Sequence, residues 1–277
     1  MDMSEMNKVE IWWYALSAIS VINIGLWVYS YRLLWRNSNK YLQDVFKGRV
    51  FSIWLSFVYV SVCAFRSFLP RIDLERISLV EHWLSSVLVG RTITTFAEIC
   101  FIAQCSLLLR EAGNNTGNRF VVLVSMILIP LIVIAEGFSW YATLTTNYLS
   151  SVIEESLWAA SGFLLIASLI SLWPYADRVK RVFLITLLLI ASGFLIFMVF
   201  IDVPMYWHRY LLDTEAGKNY LSLWQGLHDI YTNYRVSFDL DIWRDEIPWM
   251  TLYFTVAVWV SIYLPHAVIF SSKKRGA

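Results

Sequence analysis

Residues 120–144 read FVVLVSMILIPLIVIAEGFSWYATL, an apolar stretch in which Glu136 is the one charged side chain. A helix needs about 20 mostly apolar residues to cross a hydrocarbon core, and this segment has them. Six further stretches share the character: 11–32, 51–69, 84–109, 149–173, 182–203 and 249–270. Arg66 and Arg91 interrupt the second and third spans. The composition agrees with a bilayer setting. The chain is 58% hydrophobic and 16% charged, with a mean hydropathy of +0.57, where a soluble domain carries roughly a quarter charged residues. Its 14 Trp, 15 Tyr and 17 Phe suit the headgroup level, where amphipathic rings gather. The expected fold is therefore an all-α integral membrane protein, a single transmembrane domain over 1–277 with about seven spans.

The opening residues MDMSEMNKVE hold three acids and one Lys, so Ile11 onward reads as a retained first span rather than a cleaved signal. Sidedness follows from Lys and Arg, which cytoplasmic loops retain. One set of loops holds thirteen: Arg32, Arg36, Lys40, Lys47, Arg49, Arg110, Arg119, Arg178, Lys180, Arg181, Lys273, Lys274 and Arg275. The short loops of the opposite set hold four: Lys8, Arg66, Arg71 and Arg76. This predicts the N-terminus outside and the C-terminus in the cytoplasm, in a plasma or bacterial inner membrane. The long outer segment, 204–248, carries Tyr220, Leu223, Trp224, Leu227 and Tyr231 at helical spacing. A short interfacial helix is expected there.

Ionisable groups within hydrocarbon cost about 2.5–3.5 kcal/mol each on insertion scales, so each marks a candidate functional position. Arg91 and Glu98 are seven residues apart on one helical face, with Thr94 and Thr95 between them, and a direct or water-bridged pair is expected. Tyr59, Cys63 and Arg66 share a face of the second span. With the predicted sidedness, Arg66, Arg91, Glu136, Glu154, Glu155 and Asp202 all fall in the outer half, and Glu98 lies deepest. Trp140 and Trp158 stand beside Glu136 and Glu154 as aromatic walls capable of cation–π contact. The pattern predicts an outward-facing acidic pocket lined by Arg66, Arg91, Glu98, Glu136, Trp140, Glu154, Trp158 and Asp202. Desolvation would favour a neutral Glu98 and Arg91 an ionised one, leaving it poised to titrate.

Other chemistries find less support. The net charge of +1 provides no basic stripe for nucleic acid. Cys63, Cys100 and Cys105 lie in apolar segments and form no C-x-x-C pair. His82, Glu81 and His208 are the candidates for an outer-face metal, without the spacing of a metal motif. Asp239-Leu-Asp241 is a short D-x-D pattern, and Gly113–Gly117 reads as a cytoplasmic turn. No nucleophile elbow or Walker loop is present, and span seven lacks a Lys for a Schiff base. The leading expectation is binding or transport of a polar or cationic ligand, or of protons. An enzyme acting at the outer leaflet and an assembly subunit are its rivals. Beyond the bilayer and a small polar ligand or ion, no cofactor or oligomeric partner is indicated.

Overall fold

A computed structural model describes residues 8–270. Lys273, Lys274 and Arg275, used above for sidedness, lie outside the described residues. The chain is an all-α helical membrane protein. Among the described residues, seven helical stretches are long and apolar enough to span: Lys8–Arg36, Gln43–Phe68, Val87–Thr116, Arg119–Thr145, Tyr148–Tyr175, Arg178–Glu215 and Glu246–His266. Most run beyond the apolar stretches that foretold them, because hydrogen bonding continues where hydropathy stops. Lys47 and Arg49 thus fall inside a helix rather than a loop, and Gly113–Thr116 is helical, leaving Gly117 (φ +73°) to make the turn.

Apolar side chains face outward as well as into the core. On α1 (Lys8–Arg36) Ser20, Asn23 and Ser30 are buried, while Val21, Ile22 and Leu26 are exposed. Phe200 is 73% exposed and Leu189 70%. Water would not tolerate so continuous an apolar surface, and lipid favours it.

The described residues form two compact units, one of residues 8–101 and 224–266, the other of 102–223 and 267–270. The first contains α1, α2 (Gln43–Phe68), the opening half of α3 (Val87–Thr116) and the last span. Directed polar bonds join its helices. Asn23 donates to the Phe254 carbonyl at 2.9 Å, Ser30 to the Ile262 carbonyl at 3.1 Å, and Ser261 to Ser56 at 3.1 Å. The last span is α10 (Glu246–Leu252), a π-helical turn Tyr253–Ala257 and α11 (Val258–Tyr263). A π turn disturbs the helical ladder, and Asn23 satisfies a carbonyl there.

The expectation of helices alone missed a small sheet. β1 (Arg71–Ile72) pairs antiparallel with β2 (Ile77–Ser78), which pairs parallel with β3 (Arg235–Val236). The expected helix in 204–248 is α8 (Leu223–Thr232), beginning three residues after Tyr220. It buries Gly226 and Ile230 and exposes Leu223, Trp224, Leu227 and Tyr231.

In the second unit α4 (Arg119–Thr145) packs on α5 (Tyr148–Ser171), which also touches α6 (Arg178–Phe197), a π turn Met198–Asp202 and α7 (Val203–Glu215). The turns explain themselves locally. Asn118, Asn147 and Asp177 each accept a backbone N–H of the helix they open, from Val121, Leu149 and Lys180. Small residues permit close approach: a Cβ on Gly113 would lie 2.7 Å from Val122 Cγ2.

A buried charge centre as candidate functional site

The expected pair exists. Arg91 Nη2 lies 3.3 Å from Glu98 Oε2 within α3, two turns apart on one face. The other carboxylate oxygen, Oε1, accepts from the Tyr253 hydroxyl at 3.1 Å. Tyr253 opens the π turn of the last span, so Glu98 joins two spans. Tyr59 stacks on Phe101 at 4.8 Å between centroids and tilts against Tyr253 at 5.6 Å. Cys63, one turn along from Tyr59, is likewise buried.

Arg66, at the end of α2, donates to Thr94 Oγ1 at 3.0 Å and to the Arg71 carbonyl at 3.2 Å. It therefore ties α2 to α3 and to β1. Arg71 pairs through Nε with Asp73 Oδ1 at 2.7 Å and through Nη1 with the Ser86 carbonyl. Its guanidinium occupies the place where a side chain on residue 90 would begin, and that residue is Gly90. Beyond it, Arg76 pairs with Asp229 of α8 at 2.7 Å and donates to the Asp73 carbonyl at 2.5 Å. Arg76 has φ +58°, a left-handed conformation unfavourable for a bulky side chain. The bonds to Asp229 and Asp73 and the bond from Arg235 N–H to its carbonyl hold it there.

Electrostatics links these groups. Burial pushes the Arg71 guanidinium down to about 10; Asp73 opposes that shift, while Arg66 and Arg91 reinforce it. Burial alone would raise the Asp73 carboxyl, but Arg71, Arg66 and Arg91 together hold it below the usual carboxylate range. Asp73 thus answers Arg71 and Glu98 answers Arg91, while Arg66 is held by the Thr94 hydroxyl and the Arg71 carbonyl. The acidic lining expected from the sequence does not describe this centre.

Comparison with family models, curated protein sequences and solved structures finds no match for this chain. The centre must therefore be read from its own chemistry.

Of the expected site residues, the first unit brings together Arg66, Arg91 and Glu98. Glu136, Glu154 and Asp202 belong to the second unit, on α4, α5 and the π turn Met198–Asp202, and all three are buried. None of the three lacks a partner. Trp140 and Trp158 are half-buried, and Trp158 meets Phe194 edge-on at 6.5 Å. Glu81, His82 and His208 are exposed, and His82 accepts from Leu84 N–H to cap a short 3₁₀ turn. Among the described residues no three His, Cys, Asp or Glu side chains gather as metal ligands. Asp239 of the D-x-D pattern caps α9 (Leu240–Trp243), accepting from Asp241 N–H at 3.0 Å.

Sequence reasoning missed Tyr253, Asp73 and the place of Arg71. Arg71 entered only as a loop charge, although Arg71-Ile-Asp73 spacing on an extended strand puts both side chains on one face. Gly90 immediately before Arg91 was a second available signal.

Proposed function

We propose that the protein binds or carries a polar solute or protons through the first unit's charge centre, with Glu98 as the exchanging group. The observation that carries this reading is the division of the Glu98 carboxylate between Arg91 of its own helix and Tyr253 of the last span. A carboxylate held by two partners on different elements can trade one for a proton or solute while keeping the other. The π turn at Tyr253 supports the same reading, since such turns recur at functional positions. Tyr59 and Cys63 place further polar groups beside the phenol.

The test uses purified protein in liposomes enclosing a pH-sensitive dye. Wild-type vesicles should relax an imposed pH gradient faster than empty ones, and Glu98→Gln should abolish most of that difference. Arg91→Ala should change its pH dependence. Equal rates for wild type, Glu98→Gln and Arg91→Ala in folded protein would show the centre to be purely structural.

A further inference from the structure

The charge centre holds more hydrogen-bonding capacity than the described residues use. Arg66 is 4% exposed and Arg71 1%. No described residue accepts from Arg66 Nε or from Arg71 Nη2. Leaving a buried charged donor unsatisfied costs about 1–3 kcal/mol or more, so two in one centre call for an acceptor. The charge points the same way, since the acceptors of Arg66, the Thr94 hydroxyl and the Arg71 carbonyl, are both neutral. At residue 90 the absence of a side chain gives the Arg71 guanidinium its place, and Arg76 in its left-handed conformation closes the hairpin beside Asp73. Planar guanidinium forks match carboxylate and phosphate oxygens better than any other side chain does.

We infer that the centre formed by Arg66, Arg71 and Arg91 is a binding site for a small oxyanion, a phosphate or carboxylate group, delivered at the hairpin end of the first unit. The inference rests on reading this centre as a binding centre, and it replaces the cationic ligand suggested by sequence with an anionic one. An anion there gives Arg66 a counter-charge and supplies acceptors to Arg66 Nε and Arg71 Nη2. Glu98 then acts beside the anion, and its protonation strengthens anion binding by removing a like charge.

The phosphate group can belong to a free solute or to a lipid, and the experiment separates the two. Full-length protein is placed in nanodiscs of phosphatidylcholine and unfolded thermally with inorganic phosphate or with chloride at equal ionic strength. A second set of nanodiscs contains phosphatidylglycerol without phosphate. Saturating phosphate should raise Tm by roughly 5–10 °C for a free-anion site. A rise with phosphatidylglycerol alone assigns the site to a headgroup. Arg66→Lys keeps the charge but loses the fork, and should weaken the responding anion roughly tenfold. Gly90→Ala, which displaces the Arg71 guanidinium, should weaken it similarly, so failure of one variant to fold leaves the other. No shift with either anion overturns the inference, as does an undiminished shift in folded Arg66→Lys and Gly90→Ala. If the wild type shows no anion response while Glu98→Gln still abolishes proton flux, the anion site fails alone. If phosphate binds while Glu98→Gln leaves flux unchanged, the anion site stands and the exchange reading falls.

Discussion

The two units solve the same problem in lipid by different means. In the first, helices are joined by directed bonds: Trp12 to Thr251 at 2.9 Å, Asn23 to the Phe254 carbonyl, Ser261 to Ser56, and three buried guanidiniums at the hairpin end. In the second, directed bonds such as Ser106 to the Ser125 carbonyl and Asn118 to Ser171 are joined by close fits, Gly113 against Val122 and Gly162 against Phe194, and aromatic rings of Tyr148, Tyr206 and Tyr220 carry Arg209 and Lys218 through cation–π contacts. Lipid gives helices no hydrophobic reason to associate, so either directed bonds or close shape must do it. Directed bonds fix partners, and close packing fixes distance; the second unit adds more of the latter.

That contrast predicts different responses to substitution. The largest effect should come from Arg71→Ala, which removes the hydrogen-bonded partner of Asp73 and costs about 3–5 kcal/mol in denaturant unfolding of the micellar protein. The double variant Arg71→Met with Asp73→Leu should recover most of that loss; a double variant as unstable as the single would mean the pair contributes far more than mutual compensation. Next comes Gly113→Ala, whose Cβ would also sit 2.9 Å from the Val122 backbone nitrogen, where backbone cannot step aside. It should cost about 1–3 kcal/mol by the same assay. Asn23→Ala should cost less, about 1 kcal/mol, in line with single interhelical hydrogen bonds in membranes. A loss from Asn23→Ala larger than that from Gly113→Ala would invert the assignment of directed and shape-based packing.

The smallest effect concerns acid. The Asp73 carboxyl is depressed in the folded protein, so the folded state binds fewer protons than the unfolded one as pH approaches the ordinary carboxylate value. Its stabilisation is complete above about pH 4 and is lost as pH falls through the lower folded-state value. Asp73→Asn should flatten the acid limb of the stability curve, measured between pH 5 and pH 2 as roughly the carboxylate range requires. An unchanged limb would place the acid sensitivity elsewhere.

The spans were legible because twenty apolar residues leave a helix few alternatives in lipid. Arg91 and Glu98 were legible because seven residues make two turns, and α8 because Leu223, Trp224, Leu227 and Tyr231 keep helical spacing. The sheet was not, since each of its strands is two residues long and β3 comes from a segment over 150 residues from β2. Tyr253 was hidden for a related reason. Its bond to Glu98 joins positions 155 apart, and the π turn that presents it leaves no mark in hydropathy. The meeting of Arg66, Arg71 and Arg91 was equally invisible, because counting charges by depth does not reveal which side chains meet.

The proposed exchange requires Glu98 to change its protonation within the folded protein. Infrared difference spectroscopy across a pH jump reads this directly, as a protonated carboxyl band that Glu98→Gln removes while Asp73→Asn does not. Wild type should show that band, and Tyr253→Phe should shift its position by removing the hydroxyl from Oε1. A wild-type difference spectrum identical to that of Glu98→Gln would contradict the exchange.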